Sequence, residues 1–279
     1  MSRGGKGILA PFRDRALVGK VAREIAAAAK GGPCRIMHVC GTHEWAITHA
    51  GLRGMLPEGV EVVAGPGCPV CVTPGGEIDA LAELACGRAA VTTFGDVIRV
   101  PGRRTSLAQA MADGGDVRVV YGMSDAIRMA GREPGKEFVH FSIGFETTAP
   151  MAALEVGRGL PANLSIFSTH KLIPPAMEFL LRAGIEVDGF ICPGHVSTII
   201  GADAYRGLAE RYRKPMVVAG FEPLDVMLGI LEIVRQKQAG KAAVSNMYGR
   251  AVSGRGNEAA VEAIEKVFET TDTEWRGIG

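Results

Sequence analysis

The chain has 279 residues, which is enough to bury a full core and close to the length at which one domain divides into two. Its 31 basic and 30 acidic residues leave a net charge of +1, so no general field attracts nucleic acid or anionic lipid. No apolar run approaches membrane-spanning length and no signal-peptide pattern begins the chain, so we expect a cytoplasmic protein with reduced cysteines and no membrane partner.

Short apolar runs alternate with longer amphipathic stretches along most of the chain. A helical opening is predicted over residues 14–30. Strands are predicted at 34–40, 60–64, 89–94, 117–121, 138–143, 164–168, 189–192 and 216–219. Helix-like stretches lie between most of these strands, for example at 77–86, 107–113, 175–183 and 224–238. This alternation predicts an α/β fold with mostly parallel sheets and helices on both faces.

The number of strands favours two similar Rossmann-like lobes over one small unit. The pattern breaks at 131–136, so we expect a first lobe over 1–132, a second over 133–222 and a helical segment over 223–279. The tripeptide Gly-Phe-Glu ends an apolar run twice, at 144–146 and at 220–222, which is a weak sign of related halves. A (β/α)8 barrel is the rival architecture, because it also contains eight strand–helix units.

The unusual segments nearly all follow predicted strands. They lie at 40–44, 65–74, 94–96, 144–150, 168–171, 193–195 and 220–223. In α/β folds, ligands bind at the carboxyl ends of the strands. We therefore expect one cleft at those ends, between the lobes, to collect these segments.

The most distinctive segment is the glycine- and proline-rich loop that carries Cys68 and Cys71. Two thiols three residues apart suit either a disulfide that opens and closes or a pair of thiolates that binds one soft metal ion. Thr73 is predicted to cap the following helix, with Pro74 at its first position. Ordinary packing of the two cysteines is less favoured, because such a loop offers little apolar burial.

A second group of soft ligands ends the first predicted strand. Cys40 is a good third ligand for the same metal if the loops converge, and His43 follows it within the turn. Strand alternation places His38 on the same face as Cys40, as either a packed residue or a ligand. Cys34 is predicted to pack in the strand.

Other candidate residues also follow strands, and each has a structural alternative. Glu146 is an acid, a base or a hydrogen-bond acceptor, or it holds its own turn. His170 and His195 recur at equivalent positions, which favours a site over two unrelated structural histidines. Asp96 is a helix cap or a polar group of the cleft, and Cys86 is predicted to pack.

Several common signatures are missing from the sequence. No Gly-x-Gly-x-x-Gly fingerprint follows the first strand, and no Gly-Lys-Ser/Thr phosphate loop occurs. No Gly-x-Ser-x-Gly nucleophile elbow occurs either. Nucleotide binding and serine hydrolase chemistry therefore lack their usual signals.

Taken together, these segments resemble the HypD family of [NiFe]-hydrogenase maturation factors. The resemblance covers nearly the whole chain in order, and its motifs are highly specific. They are Met37-His38-Val39-Cys40-Gly41-Thr42-His43-Glu44, the loop 65–74, residues 94–102 and 144–150, His170-Lys171 with 174–177, Pro193-Gly194-His195-Val196-Ser197, and residues 219–225.

The resemblance implies a scaffold for building the Fe(CN)2CO unit of the hydrogenase active site, with no simple turnover reaction of its own. It implies work with a small HypC-type chaperone, cyanide made by HypE with HypF, and transfer of the iron unit to the hydrogenase large subunit. By the same resemblance, Cys40, Cys68 and Cys71 are the iron-binding and redox cysteines. The residues implied to line the cleft beside them are Thr42, His43, Asp96, Glu146, Thr147 and His195.

Two departures from the family pattern affect these expectations. Position 45 is Trp, where the family often has a second histidine, so no ligand is expected there. HypD proteins also continue into a cysteine-rich region that carries a [4Fe–4S] cluster, whereas this chain has no cysteine after Cys192. We therefore expect a truncated form without the ligands for that cluster.

Two other classes of function compete with the assembly scaffold. The first is a cytoplasmic thiol–disulfide oxidoreductase that uses Cys68 or Cys71 as its nucleophile and depends little on Cys40. The second is a zinc-dependent hydrolase with a three-ligand site. It is the weaker alternative, because three thiolates without an evident base suit binding better than water activation.

Overall fold

The computed structural model describes residues 9–279 and has two parallel β-sheets flanked by helices. The strands are β1 Cys34–His38, β2 Val60–Ala64, β3 Ala89–Thr93, β4 Val117–Val119, β5 Glu137–Gly144, β6 Leu164–His170, β7 Gly189–Pro193, β8 Met216–Ala219 and β9 Val244–Asn246. All eight predicted strands are confirmed. The three-residue β9 was not predicted, because so short a run carries little apolar alternation.

The helices connect these strands and pack on the faces of the sheets. They are α1 Arg15–Ala28, α2 Gly41–His49, α3 Gly75–Cys86, α4 Leu107–Ala112, α5 Met123–Arg132, α6 Ala149–Arg158, α7 Ile173–Arg182, α8 Gly194–Ile200, α9 Arg206–Tyr212, α10 Pro223–Gln238 and α11 Glu258–Val267. In the part of the chain that the structure covers, no helix is both long and apolar enough to cross a bilayer.

The strands form two separate open sheets. The five-stranded sheet has the order β2-β1-β7-β8-β9, and the four-stranded sheet has the order β4-β3-β5-β6. Every neighbouring pair of strands is parallel. The predicted α/β class is therefore confirmed in its Rossmann-like form, and the rival barrel is wrong.

The chain divides into two compact units that interleave along the sequence. The first unit contains the described residues up to Gly67 together with Ile173–Glu258, and the second contains Cys68–Leu172 together with Ala259–Gly279. The boundary that the sequence predicts at 132/133 lies inside the second unit, because β4 and β5 on either side of it belong to one sheet. Strand order cannot be read from sequence adjacency, because a parallel crossover can return to a distant neighbour.

The core of the first unit lies between its sheet and helices α1 and α10. Ile25, Ile36 and Ile230 are all essentially inaccessible there. Helix α1 begins as the sequence predicts, because the Asp14 carboxylate accepts the N–H of Ala16 at 2.7 Å. The apolar faces of both helices are thus fixed against the strands that carry the first group of candidate residues.

The second unit buries both faces of its sheet. Val91 and Phe141 pack with helix α3 on one face, while Ala90 and Phe138 pack against a separate group that includes α5 residues on the other. Adjacent strand residues point to opposite faces, so every residue of β3 is buried and the strand does not alternate between buried and exposed positions. The candidate polar side chains of this unit therefore lie at the carboxyl ends of the strands of the four-stranded sheet.

Candidate functional site

Cys40 lies at the carboxyl end of β1 in the first unit. It is the N-cap of α2 and has an extended backbone, with φ −154° and ψ 125°. Its carbonyl oxygen accepts the N–H of Glu44 at 3.2 Å, whereas its thiol makes no capping hydrogen bond. The structure thus presents a largely buried free thiol at the sheet edge where α/β proteins bind ligands.

The segment from Gly65 to Gly67 crosses the end of β1 in direct contact with its backbone. Gly65 donates its N–H to the His38 carbonyl at 2.8 Å, and the Gly67 carbonyl accepts the N–H of Gly41 at 2.9 Å. A Cβ atom on Gly67 would lie 2.0 Å from the Cys40 nitrogen, which no side chain can do. Glycine is required here for close backbone approach, and Cys68 is the next residue along the chain.

His38 is buried and held by an ionic network. Its Nε2 lies 2.7 Å from Glu44 Oε2, and Arg53 donates to both Glu44 oxygens at 2.9 and 2.7 Å. The Arg53 guanidinium holds the pKa of Glu44 down at about 2, while burial lowers the pKa of His38. Glu44 therefore stays a carboxylate that accepts the Nε2 proton, and His38 Nδ1 is left with no hydrogen-bond partner in residues 9–279.

His43 is fully buried and has a defined tautomer. Its Nε2 lies 2.9 Å from the Gly220 carbonyl and 3.2 Å from the Ala219 carbonyl, so this nitrogen carries the proton. Burial lowers its pKa to about 4. Its Nδ1 finds no hydrogen-bond partner among the described residues. A neutral imidazole with a free lone pair can accept a proton or a hydrogen bond, or bind a metal ion.

An aromatic stack links His43 to the second predicted histidine of this unit. The Phe221 ring lies 4.8 Å from the His43 ring and 4.0 Å from the His195 ring, measured between centroids. His195 is on the exposed side of this stack, and Thr42 is exposed on α2. The first unit therefore brings the rings of His43 and His195 together, with Phe221 between them.

The second unit begins with the cysteine loop. Cys68 and Cys71 are joined by a disulfide, with Cα atoms 5.2 Å apart, and Cys71 is exposed. The Cys68 carbonyl accepts the N–H of Val72 at 3.1 Å, which closes the turn. Of the two alternatives that the spacing left open, the structure contains the closed disulfide.

The start of helix α3 differs from the prediction by one residue. Pro74 is the N-cap and makes no side-chain capping bond. The Thr73 hydroxyl instead donates to the Pro69 carbonyl at 2.8 Å. The predicted Thr73 cap is wrong because its side chain turns back to close the cysteine loop, a competing local hydrogen bond typical of threonine.

Glu146 follows β5 and is 2% exposed, whereas Thr147 beside it is exposed. Thr148 is the N-cap of α6, and Pro150 lies in the first turn of that helix. The equivalent Glu222 has another task, because it forms a capping box with Asp225 and an ion pair with Arg13 at 2.6 Å. The two Gly-Phe-Glu segments therefore both follow strands, but only Glu146 is buried.

The remaining predicted residues have clear environments. His170 is buried, with Nε2 2.9 Å from Ser142 Oγ, and burial lowers its pKa to about 4. Asp96 is exposed in the turn after β3. Cys34 is buried as predicted, but Cys86 is exposed because it ends α3 on the solvent side.

Sequence reasoning missed a second polar group at the edge of the four-stranded sheet. Thr169 donates to Glu77 Oε2 at 2.6 Å, and buried Lys171 contacts Thr169. The C-terminal segment 273–276 also reaches this edge, because Arg276 donates its N–H to the Val72 carbonyl at 2.8 Å. The sequence signals were the position of segment 168–171 after a strand and the motif His170-Lys171, neither of which indicates that Lys171 is buried.

The cysteines as described do not fit a [4Fe–4S] cluster, which needs four thiolates. Cys68 and Cys71 are bonded to each other, and burial raises the pKa of Cys34 to about 11 and raises that of Cys192 well above its ordinary value. Within residues 9–279, no three His, Cys, Asp or Glu side chains are grouped so as to hold a metal ion.

Comparison with known proteins gives a consistent result. The HypD family model, described as the hydrogenase formation hypA family, matches residues 16–279. A putative hydrogenase expression/formation protein of Methanocaldococcus jannaschii is 49% identical over 270 residues, which cover 95% of this chain and 75% of that protein.

Bacterial relatives are nearly as similar. The hydrogenase maturation factor HypD of Rhizobium leguminosarum bv. viciae is 47% identical over 286 residues, with coverage of 96% of this chain and 73% of its own. The factor of the same name from Escherichia coli is 46% identical over 253 residues, with coverage of 88% and 68%. The similarity thus extends through both compact units.

Proposed function

The chain belongs to the HypD family of hydrogenase maturation factors, and from this premise we propose that it is a cytoplasmic scaffold and redox protein. Its cargo is the Fe(CN)2CO unit of [NiFe]-hydrogenases, which is assembled on the protein and then released. Iron is therefore a substrate of the protein rather than a resident cofactor.

The observation that carries this proposal is the Cys68–Cys71 disulfide in an exposed turn. An external dithiol can reduce this disulfide: the Cys68–Cys71 bond takes up two electrons and two protons and becomes two thiols, and the dithiol is oxidised to its own disulfide. Loss of those protons then gives two thiolates, which are soft ligands suited to low-spin iron with cyanide and carbon monoxide. The loop can thus act both as an electron store and as an iron ligand pair, and reduction must come first.

Cys40 is proposed as the third iron ligand. It is a free thiol at the end of β1, and His38 and His43, which flank it in the sequence, each have an Nδ1 atom without a hydrogen-bond partner among residues 9–279. A neutral imidazole nitrogen can accept the proton that a thiol loses when it binds a metal. His43 and His38 are held neutral by burial, which supports this role.

The other predicted residues are proposed to line the cargo site. Buried Glu146 supplies a carboxyl group, and the polar side chains of Thr42, Asp96, Thr147 and His195 are exposed. A bound cyanide accepts hydrogen bonds at its nitrogen, so hydroxyl and imidazole donors suit this task.

The partners follow from the same premise. We propose that the chain works with a small HypC-type chaperone and receives cyanide made by HypE with HypF. The hydrogenase large subunit is the final acceptor of the iron unit. The similar proteins are named as maturation or expression/formation factors, which supports maturation partners in general.

A maturation assay tests the proposal. Cells lacking their own HypD-type factor are supplied with this chain, and hydrogenase activity is measured for Cys40→Ala, Cys68→Ala and Cys71→Ala. Each substitution should abolish maturation. Cys86→Ala is the matched control, because Cys86 is an exposed cysteine at the end of α3 and should be dispensable.

The disulfide also favours a second candidate, a thiol–disulfide oxidoreductase. This function needs Cys68 and Cys71 but neither iron nor Cys40. Full maturation activity of the Cys40→Ala variant would reject the scaffold function in favour of the oxidoreductase. Catalysed disulfide exchange that is lost on substitution of Cys68 or Cys71, and not on substitution of Cys40, would support the oxidoreductase.

A further inference from the structure

Lys171 is a buried cation at the carboxyl end of β6 in the second unit. Its side chain is 3% exposed, and its backbone N–H donates to the Gly144 carbonyl at 3.0 Å. That bond places it beside the turn that carries Glu146. Among the residues described, no carboxylate lies within ion-pair distance of its Nζ.

The contacts of Lys171 Nζ are weak for a buried ammonium. It donates to Thr169 Oγ1 and Thr273 Oγ1, both at 3.3 Å, and lies 5.8 Å from the centre of the Trp275 ring. The hydrogen of the Thr169 hydroxyl is already given to Glu77 Oε2 at 2.6 Å, so Thr169 can only accept from Lys171.

An ammonium group has three N–H donors, and neutral hydroxyls satisfy two of them at long distance. Burying a cation without a direct counter-charge is costly, and burial correspondingly lowers the pKa of Lys171. Glu77 and Glu274 act on it only through space. One donor and most of the charge therefore remain available to a ligand.

The surroundings restrict which ligand fits. Trp275 is stacked on Phe145, with ring centroids 5.9 Å apart, and presents an apolar face near the ammonium. Phosphate and sulfate need several donors around them, whereas this position offers a single ammonium among hydroxyls and aromatic rings. A weakly hydrated monoanion with one acceptor atom fits this chemistry best.

We propose that Lys171 is an anion-binding residue that donates a hydrogen bond to the nitrogen of a cyanide carried by the iron cargo. The identity of the anion rests on the function proposed above, whereas the anion site does not. Position supports the link, because Glu77 lies in the first turn of the helix that directly follows the cysteine loop, and Thr169 joins Glu77 to Lys171.

Thiocyanate is a suitable probe, because it is a linear monoanion with a terminal nitrogen. The chain has two tryptophans, so a Trp45→Phe background leaves Trp275 as the single fluorescent reporter. Potassium thiocyanate is titrated against potassium chloride at constant ionic strength. A saturable change in Trp275 fluorescence is expected, and Lys171→Met should weaken it about tenfold or more, as loss of a charge-assisted hydrogen bond does.

Two further variants make the test specific. Lys171→Arg keeps the charge and should retain saturable binding. Lys136→Met removes a lysine at the opposite end of the neighbouring strand and should bind like the parent. Thermal unfolding checks the fold, and Lys171→Met should be at least as stable as the parent, because methionine removes an uncompensated buried charge.

Equal thiocyanate binding by Lys171→Met, or no saturable change in the parent, would overturn the anion site. The titration uses neither iron nor partners nor the cysteines, so its outcome is independent of the maturation assay. Saturable binding without maturation would reject the scaffold function alone. Maturation with no anion binding would reject the role of Lys171 alone.

Discussion

Gly67 lies so close to Cys40 that a Cβ atom at residue 67 would be 2.0 Å from the Cys40 nitrogen. The Gly67 carbonyl also accepts the N–H of Gly41 at 2.9 Å. Gly67, which directly precedes Cys68, is therefore fixed against Cys40 and Gly41 at the start of α2. The glycine content of the loop therefore reflects backbone contact with the Cys40 turn rather than general flexibility.

The first prediction concerns this contact. Gly67→Ala should destabilise the protein by about 2 kcal/mol or more, because the backbone at Cys40 cannot move aside as a flexible side chain would. Urea unfolding measures the loss. Gly54→Ala is the matched control in the same unit, because a Cβ there meets nothing within 4 Å. Equal stability of the two variants would contradict the close approach.

The second prediction concerns the redox state of the six cysteines, of which four are free. The oxidised protein, denatured without reductant, should react with four equivalents of a thiol reagent, and reduction should expose two more. In Cys68→Ser the count should not change on reduction, because Cys71 has lost its partner. A count that rises in this variant would place the disulfide elsewhere.

The third prediction concerns pH. Burial lowers the pKa of His43, His140 and His170 to about 4 in the folded state, from an ordinary value of 6.5. Between those values the unfolded chain binds more protons, so stability is full above pH 6.5 and is lost as pH falls towards 4. Each histidine contributes at most roughly 3 kcal/mol to this loss.

Urea unfolding at several pH values between 7 and 4 measures this effect. His140→Gln should lose less stability than the parent on acidification, because one of the titrating groups is gone. His140 is a suitable choice since it is buried in β5, bonded to Thr92 Oγ1 at 3.0 Å, and outside the proposed cargo site. A stability that is flat across this range would contradict the assignment of neutral buried histidines.

The fourth prediction concerns the C-terminal segment. Trp275 stacks on Phe145, and the next residue, Arg276, donates its backbone N–H to the Val72 carbonyl at 2.8 Å. The C-terminal segment therefore restrains the cysteine loop. Trp275→Ala removes an aromatic pair worth about 1 kcal/mol, and reduction of the disulfide by dithiothreitol should become roughly fivefold faster. Trp45→Ala changes the exposed tryptophan of α2 and should leave the rate unaltered. Equal rates for Trp275→Ala and the parent would contradict the restraint.

The sequence predicted elements better than their arrangement. The run Val60–Ala64 and the run Met216–Ala219 both begin and end at the predicted residues. All four residues of Met216–Ala219 are buried, as a continuous apolar run predicts, whereas Val60–Ala64 carries the exposed Glu61 and lies at the edge of its sheet. Their membership of one sheet could not be predicted, since β7 enters between them from far along the chain. Pairing depends on long-range packing, which local pattern does not encode.

The candidate site divides in the same way. Cysteines and histidines at strand ends were identifiable because the chemistry of their side chains and the turn residues around them coincide. Thr73 was misassigned since two local hydrogen bonds compete for its hydroxyl, and only tertiary packing selects between them. Lys171 belongs to the motif His170-Lys171, but its burial could not be predicted, because nothing in the sequence distinguishes a buried lysine from an exposed one.

The central claim is that the chain carries an iron unit with cyanide and carbon monoxide ligands through Cys40 and the loop cysteines. The most direct measurement is the infrared spectrum of the complex purified after anaerobic co-expression with the proposed HypC-type partner and cyanide-making factors. Stretching bands of iron-bound cyanide and carbon monoxide should be present in the parent and lost in Cys40→Ala. Bands that persist unchanged in Cys40→Ala would contradict the claim.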